Sequence, residues 1–258
     1  VIFMLAGTSD ARALALDIKN EGHQLLTTVV TENAAAEMTK AGIPVHVGRL
    51  PVDEMIRLIQ EHRATIVVDA SHPFAEEASK NAMEAAKQLG LPYIRYERES
   101  QSFDYEKLTV VSSYKEAAKI AATKQGVVML TTGSKTLQVF TEELLDKPDI
   151  RLIARMLPRL DNMEKCEQLG FPQKNIIAIQ GPFSKDFDQA LYKQYGVTVM
   201  ITKESGKVGS VDEKVEAAKE LGIEIIMIAR PKMDYGVSFS EFPPIINLLK
   251  KGEGIHGL

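Results

Sequence analysis

Cysteine is almost absent from this chain. Cys166 is the only one in 258 residues, so neither an internal disulfide nor a multi-thiolate metal centre can form. That usage fits a reducing compartment, and a cytoplasmic protein is expected. A basic excess is missing as well: 31 Lys and Arg face 35 Asp and Glu, for a net charge of -4. General nucleic-acid binding and membrane-surface binding are thereby excluded, and an anionic ligand needs its cations gathered in one place. No apolar run approaches the roughly eighteen residues of a membrane span, and the apolar start has no basic leader or cleavage site. Histidines 23, 46, 62, 72 and 256 are scattered without the paired spacing of a zinc site, so no metal is expected. There is no Gly-x-Ser-x-Gly elbow, and Thr132-Gly133-Ser134-Lys135 lacks the upstream glycine of a nucleotide phosphate loop. Nothing in the sequence marks an oligomeric state.

What is present begins with Val1-Ile2-Phe3-Met4-Leu5-Ala6, six apolar residues without helical spacing. They predict a strand buried on both faces, as in a parallel sheet covered by helices. Gly7-Thr8-Ser9-Asp10 follows, one residue free to take positive φ and three that favour helix N-caps. A strand that turns sharply into a helix offers first-turn amides and the helix dipole to an anion. Only one of the three glycines of the dinucleotide fingerprint is there, so a phosphate turn and an ordinary capped turn fit it equally.

Further strands are predicted at 25–30, 45–47, 65–70 and 93–96, with helices at 11–21, 34–41, 52–62 and 75–89 between them. The polar stretch 97–102 reads as a domain boundary. The second half repeats the alternation, with strands near 108–111, 127–130, 150–154, 176–179, 197–201 and 225–229, and the tail from Asn247 reads as frayed. The expected fold is α/β: two tandem Rossmann-like domains, residues 1–100 and 101–258, with mainly parallel sheets and a cleft between them.

Ligands of open parallel sheets lie beyond the carboxyl ends of the strands. Those strand ends are rich in small, polar and cationic residues here. In the first half Gly7, Thr8, Ser9, Asp10, Arg12, Thr31 and Ser71 are candidates for a nucleotide cofactor. In the second, Ser134, Lys135, Arg155, Ser184, Lys203 and Ser205 are candidates for an anionic ligand, Lys135 and Lys203 because they follow strands expected inside the sheet. His72, between Ser71 and Pro73 at a strand end, is either a proton donor or a structural histidine. Arg95 and Arg98 read as surface partners of Glu97 or Glu99.

Taken in order, these blocks resemble the precorrin-6A reductases and their cobalt-precorrin-6A counterparts of cobalamin biosynthesis. The resemblance rests on Gly7 to Arg12, on Val68-Asp69-Ala70-Ser71-His72-Pro73-Phe74-Ala75 and on Tyr96-Glu97-Arg98. In the second half it rests on Thr131 to Lys135, Gly181 to Ser184, and Thr202 to Gly206 followed by Glu213-Lys214. Ala6 stands where the family usually has a second glycine, and Ser71 where it usually has threonine. The resemblance implies NADPH-dependent reduction of one ring carbon-carbon double bond, taking (cobalt-)precorrin-6A to (cobalt-)precorrin-6B. Such a tetrapyrrole carries many carboxylate arms, which Lys135, Arg155 and Lys203 would hold. Hydride transfer needs positioning rather than a protein nucleophile. Glu32 suits a ribose hydroxyl, whereas Thr8, Arg12 and Arg49 favour a 2'-phosphate. Two other classes stay open on the residues alone: a non-enzymatic two-lobed binding protein for an anionic ligand, and an adenosylmethionine-dependent tetrapyrrole methyltransferase.

Overall fold

The structure, a computed structural model, describes residues 1–204 and 212–252. Ser205, Gly206 and His256 lie outside the described residues. The described chain forms two compact units. The first comprises residues 1–99 and 231–252, and the second residues 100–204 and 212–230.

Unit 1 begins with β1 (Ile2–Leu5), α1 (Ser9–Asn20), β2 (Leu25–Val29), α2 (Glu32–Lys40) and β3 (Val45–Val47). It continues with α3 (Val52–Glu61), β4 (Ile66–Asp69), α4 (Glu76–Leu89) and β5 (Tyr93–Tyr96). All four residues of β1 and of β4 are buried, because helices cover both faces of the sheet. One face packs Met4, Leu14, Ile18 and Val68 together, and the other packs Phe3, Met55, Ile59 and Val67. On α1 the buried residues Ala11, Leu14, Ala15 and Ile18 keep the spacing of one helical face. Each fully buried Leu or Ile contributes about 1.5–3 kcal/mol.

Unit 2 holds β6 (Leu108–Val111), α5 (Tyr114–Ala121), β7 (Gly126–Leu130), α6 (Leu137–Leu144), β8 (Ile150–Met156) and α7 (Leu160–Gln168). After these come β9 (Ile176–Ala178), α8 (Lys185–Tyr195), β10 (Val199–Lys203), α9 (Glu213–Glu220) and β11 (Glu224–Ile228). The chain then returns to unit 1 with β12 (Ser238–Phe239) and α10 (Phe242–Lys250).

Every strand pairing is parallel. The first sheet runs β12-β5-β4-β1-β2-β3 and the second β6-β11-β10-β7-β8-β9. In unit 1 the chain builds outward from β1 through β2 to β3 and then crosses to β4; in unit 2 it starts at the edge strand β6, builds outward from β7 through β8 to β9 and then crosses to β10. The reversal falls between β1 and β4 in unit 1 and between β7 and β10 in unit 2. These are the positions where open parallel sheets bind ligands.

The C-terminal segment departs from the expected domain extents and from the expected frayed tail. Instead of staying with residues 101–230, it adds β12 beside β5, with the Arg95 and Glu97 amides donating to Val237 and Phe239 carbonyls at 2.9 Å. Helix α10 then buries Ile245 and Leu249 in the core that contains Met4 and Leu14. The physical reason is apolar content: Phe-Pro-Pro-Ile-Ile-Asn-Leu-Leu covers what would be an open face. Its prolines stand in the first turn, where a missing amide is tolerated.

Candidate active site

At the reversal point of unit 1, Gly7 takes φ of 131°, and a Cβ placed there would meet no atom within 4 Å. The space above the turn is open. Thr8 caps α1 by accepting from the Ala11 amide at 3.3 Å, and the first-turn amides of Ser9 and Asp10 have no carbonyl partner within the helix. The exposed turn therefore has the shape and dipole of an anion site. Asp10 complicates it, since its Oδ1 accepts from the Ala11 amide at 2.9 Å and from the Thr8 hydroxyl. Its charge is met by Arg98, which donates from Nε to Oδ2 at 2.6 Å and from Nη2 to Oδ1 at 2.9 Å. Burial alone would raise the Asp10 carboxyl, but the Arg98 guanidinium and the Thr8 hydroxyl hold it below its usual value.

Arg98 also donates to the Ala70 and Ser71 carbonyls at 2.8 and 2.7 Å and to the Thr8 hydroxyl at 2.8 Å. Its side chain is fully buried. Far from being a surface partner of Glu97 or Glu99, it ties the turn after β1 to the loop after β4. Arg95 is equally buried and pairs with Asp69 at 3.0 Å, with Glu97 as a second partner at 3.3 Å. Burial acts to raise the Asp69 carboxyl, yet Arg95 and the Ser71 hydroxyl keep it below its ordinary value. Removing one partner of such a buried pair costs about 3–5 kcal/mol.

Ser71 is drawn into this network. Its hydroxyl donates to Asp69 at 2.6 Å and lies 3.2 Å from the Ser79 hydroxyl, so it is turned inward rather than toward a cofactor. His72, next in the chain, is half-buried, and its Nδ1 accepts the Phe74 amide at 3.1 Å. That bond assigns the proton of the neutral ring to Nε2. Arg12 pairs with Glu37 of α2 at 2.9 Å, and Thr31 caps α2 through the Ala34 amide at 3.1 Å. Glu32 and Arg49 are exposed.

In unit 2 the two innermost strands, β7 and β10, end in the Lys135 turn and in Lys203. Lys135 is exposed, and its carbonyl accepts from Lys165 at 3.0 Å. Burial pushes the Lys203 ammonium below its ordinary pKa, and the charges of Lys214 and Lys135 push it further. The three lysines thus lie within electrostatic reach of one another at this reversal point. The hydroxyls of Thr132 and Thr136 on the same turn are buried without a hydrogen-bond partner among the described residues. The Ser134 hydroxyl donates to Asn162 at 2.6 Å. Arg155 is not part of the lysine group: it is buried against Asp188 at 2.6 Å and stacks on Phe183 at 4.4 Å. Its charge is answered inside the protein. Ser184 caps α8 through the Phe187 amide at 3.1 Å. Lys214 is missing from the site residues read from the sequence, although it is the second residue of α9, two positions after the Asp212 cap. Among the described residues no cluster of three His, Cys, Asp or Glu side chains could hold a metal ion, and no helix is long and apolar enough to cross a membrane.

A model of the family described as precorrin-6x reductase CbiJ/CobK matches residues 1–250. A cobalt-precorrin-6A reductase of Priestia megaterium is 66% identical over 249 residues, covering 96% of this chain and 98% of that protein. One from Salmonella typhimurium is 39% identical over 234 residues, covering 89% and 87%. Among solved structures, a chain named CobK precorrin-6A reductase superposes with a TM-score of 0.76 at 21% identity, covering 98% of this chain and 97% of that one. That superposition speaks for the fold.

Proposed function

The chain belongs to the precorrin-6x reductase family, and from that premise we propose how its residues carry out NADPH-dependent reduction of (cobalt-)precorrin-6A to (cobalt-)precorrin-6B. It is an NAD(P)H-using oxidoreductase acting on a ring carbon-carbon double bond. The observation that carries this reading is the match over nearly the whole chain, both reversal points included. The names of the relatives favour the cobalt-containing ring as substrate, the metal being part of the substrate.

The turn from Gly7 to Ser9 binds the cofactor's phosphates. The open space over Gly7 and the first-turn amides suit a dinucleotide backbone, and a larger residue at a φ of 131° would be strained. Thr31 and Arg12 border the ribose end, with Arg12 held by Glu37. When bound, the nicotinamide supplies the hydride. Ser71 acts from behind, through Asp69, by fixing the loop, and Asp10, at the mouth of the turn, is tied to the protein through Arg98. His72 faces the reaction with Nε2–H. A neutral imidazole donates a hydrogen bond well and a proton poorly, so His72 orients a polar group or relays a proton from water.

Lys135, Lys203 and Lys214 hold the carboxylate arms of the ring, supported by the Thr132 and Thr136 hydroxyls. Arg155 and Ser184 shape the neighbouring loop. Neither the binding-protein nor the methyltransferase reading has an observation that favours it over reduction. Titration of the protein with NADPH and NADH, followed by nucleotide fluorescence, tests the cofactor. Tighter binding of NADPH is the expected result, and equal or tighter binding of NADH overturns the choice of nucleotide.

A further inference from the structure

A carboxylate at the mouth of a phosphate-binding helix is a contradiction, because like charges repel. Asp10 is such a carboxylate. It stands in the first turn of α1, and its Oδ1 takes the Ala11 amide at 2.9 Å, one of the amides an anion would use. In most surroundings this self-capped end would turn a phosphate away.

Arg98 resolves the contradiction geometrically. It lies 88 residues away in sequence, yet its guanidinium grips both carboxylate oxygens, at 2.6 and 2.9 Å, in the fork-on-fork manner. Its side chain has no solvent exposure, whereas Asp10 keeps 19%. The cation therefore lies on the protein side of the carboxylate, under the turn. It is fixed there by the Ala70 and Ser71 carbonyls at 2.8 and 2.7 Å and by the Thr8 hydroxyl at 2.8 Å. The Tyr96 ring closes it in, with the guanidinium carbon 4.7 Å from the ring centre.

We infer that Arg98 is the positioning residue of the cofactor turn: it cancels the Asp10 charge from beneath and registers the turn against the loop that carries His72, so that an anion can dock on α1. The role is electrostatic as well as mechanical. A lysine in its place would supply the charge without gripping both oxygens. The inference rests on the reading that the Gly7 turn holds the cofactor phosphates.

The test is NADPH binding by fluorescence titration, with the Michaelis constant and turnover number measured separately. Arg98→Met exposes the cofactor to an uncompensated carboxylate and is expected to weaken NADPH binding about tenfold or more, with a larger effect on the Michaelis constant than on turnover. Adding Asp10→Asn to that variant removes the charge and is expected to recover most of the loss. A purely structural arginine would show no such recovery, and its absence overturns the inference. Should Arg98→Met fail to fold, Asp10→Asn alone still decides. Asparagine keeps the acceptor for the Ala11 amide and leaves the Arg98 charge unopposed, so NADPH should bind more tightly and with a steeper dependence on salt. Weaker binding overturns the inference. Gly7→Ala separates the underlying reading from this one. If it leaves NADPH affinity unchanged, the cofactor does not use this turn and the inference falls with it; if affinity drops, the Asp10 and Arg98 results stand on their own.

Discussion

At the scale of the residue, the charged groups divide into those that hold the protein together and those proposed to face a ligand. Arg95, Arg98 and Arg155 are all buried and matched by Asp69, Asp10 and Asp188. The first two lie in Arg-Tyr-Glu-Arg-Glu, which reads as an exposed run because the nearest acids in sequence are Glu97 and Glu99. Arg95 does meet Glu97 at 3.3 Å, but the aspartates that match the two arginines inside the protein are 26 and 88 residues distant, and only the sheet brings them together. Lys203 is proposed for the other group. Burial and the neighbouring lysines lower its pKa from an ordinary 10.5. An anion-binding ammonium must be protonated, so a lowered pKa moves the loss of binding to lower pH. The Michaelis constant for the tetrapyrrole is expected to rise on the alkaline side before pH 10.5 is reached, and Lys203→Met should abolish that limb while raising the constant throughout. An alkaline limb that survives Lys203→Met would assign it to another group.

At the scale of the element, the strands of the sheet interior were legible because both faces are covered and the sequence is continuously apolar. Strands β5 and β6 match their expected ranges to the residue, helices α1 to α4 deviate by no more than two residues at either end, and α10 stands where no helix was expected. Strand β12 was not legible. It has two residues, too few for any periodicity. What places it is the free edge of β5, a property of another part of the chain. Ile245 of α10 is fully buried, so Ile245→Ala leaves a cavity in unit 1 and should cost about 2–5 kcal/mol. Urea unfolding checks this through a lower midpoint, and an unchanged midpoint would mean that α10 does not hold unit 1 together.

At the scale of the whole molecule, one reversal serves twice, although unit 1 takes its outer edge strand, β12, from late in the chain and unit 2 takes β6 from its own beginning. Each sheet reverses between two central strands, and every residue proposed to meet the cofactor phosphates or the ring carboxylates lies at or beside a reversal point. The sequence could show that its polar loops follow strands. It could not show that the Ser71 hydroxyl turns inward or that the Asp10 carboxylate is gripped from beneath, because both depend on Arg95 and Arg98, distant in the chain. The central claim is hydride delivery from a nicotinamide to the tetrapyrrole. It is tested most directly by incubating the protein without oxygen with (cobalt-)precorrin-6A and NADPH deuterated at both C4 positions, followed by mass spectrometry of the ring. One deuterium from the cofactor and one hydrogen from water are expected in the reduced ring. A ring that returns unlabelled, or unreduced with the cofactor intact, would contradict the claim.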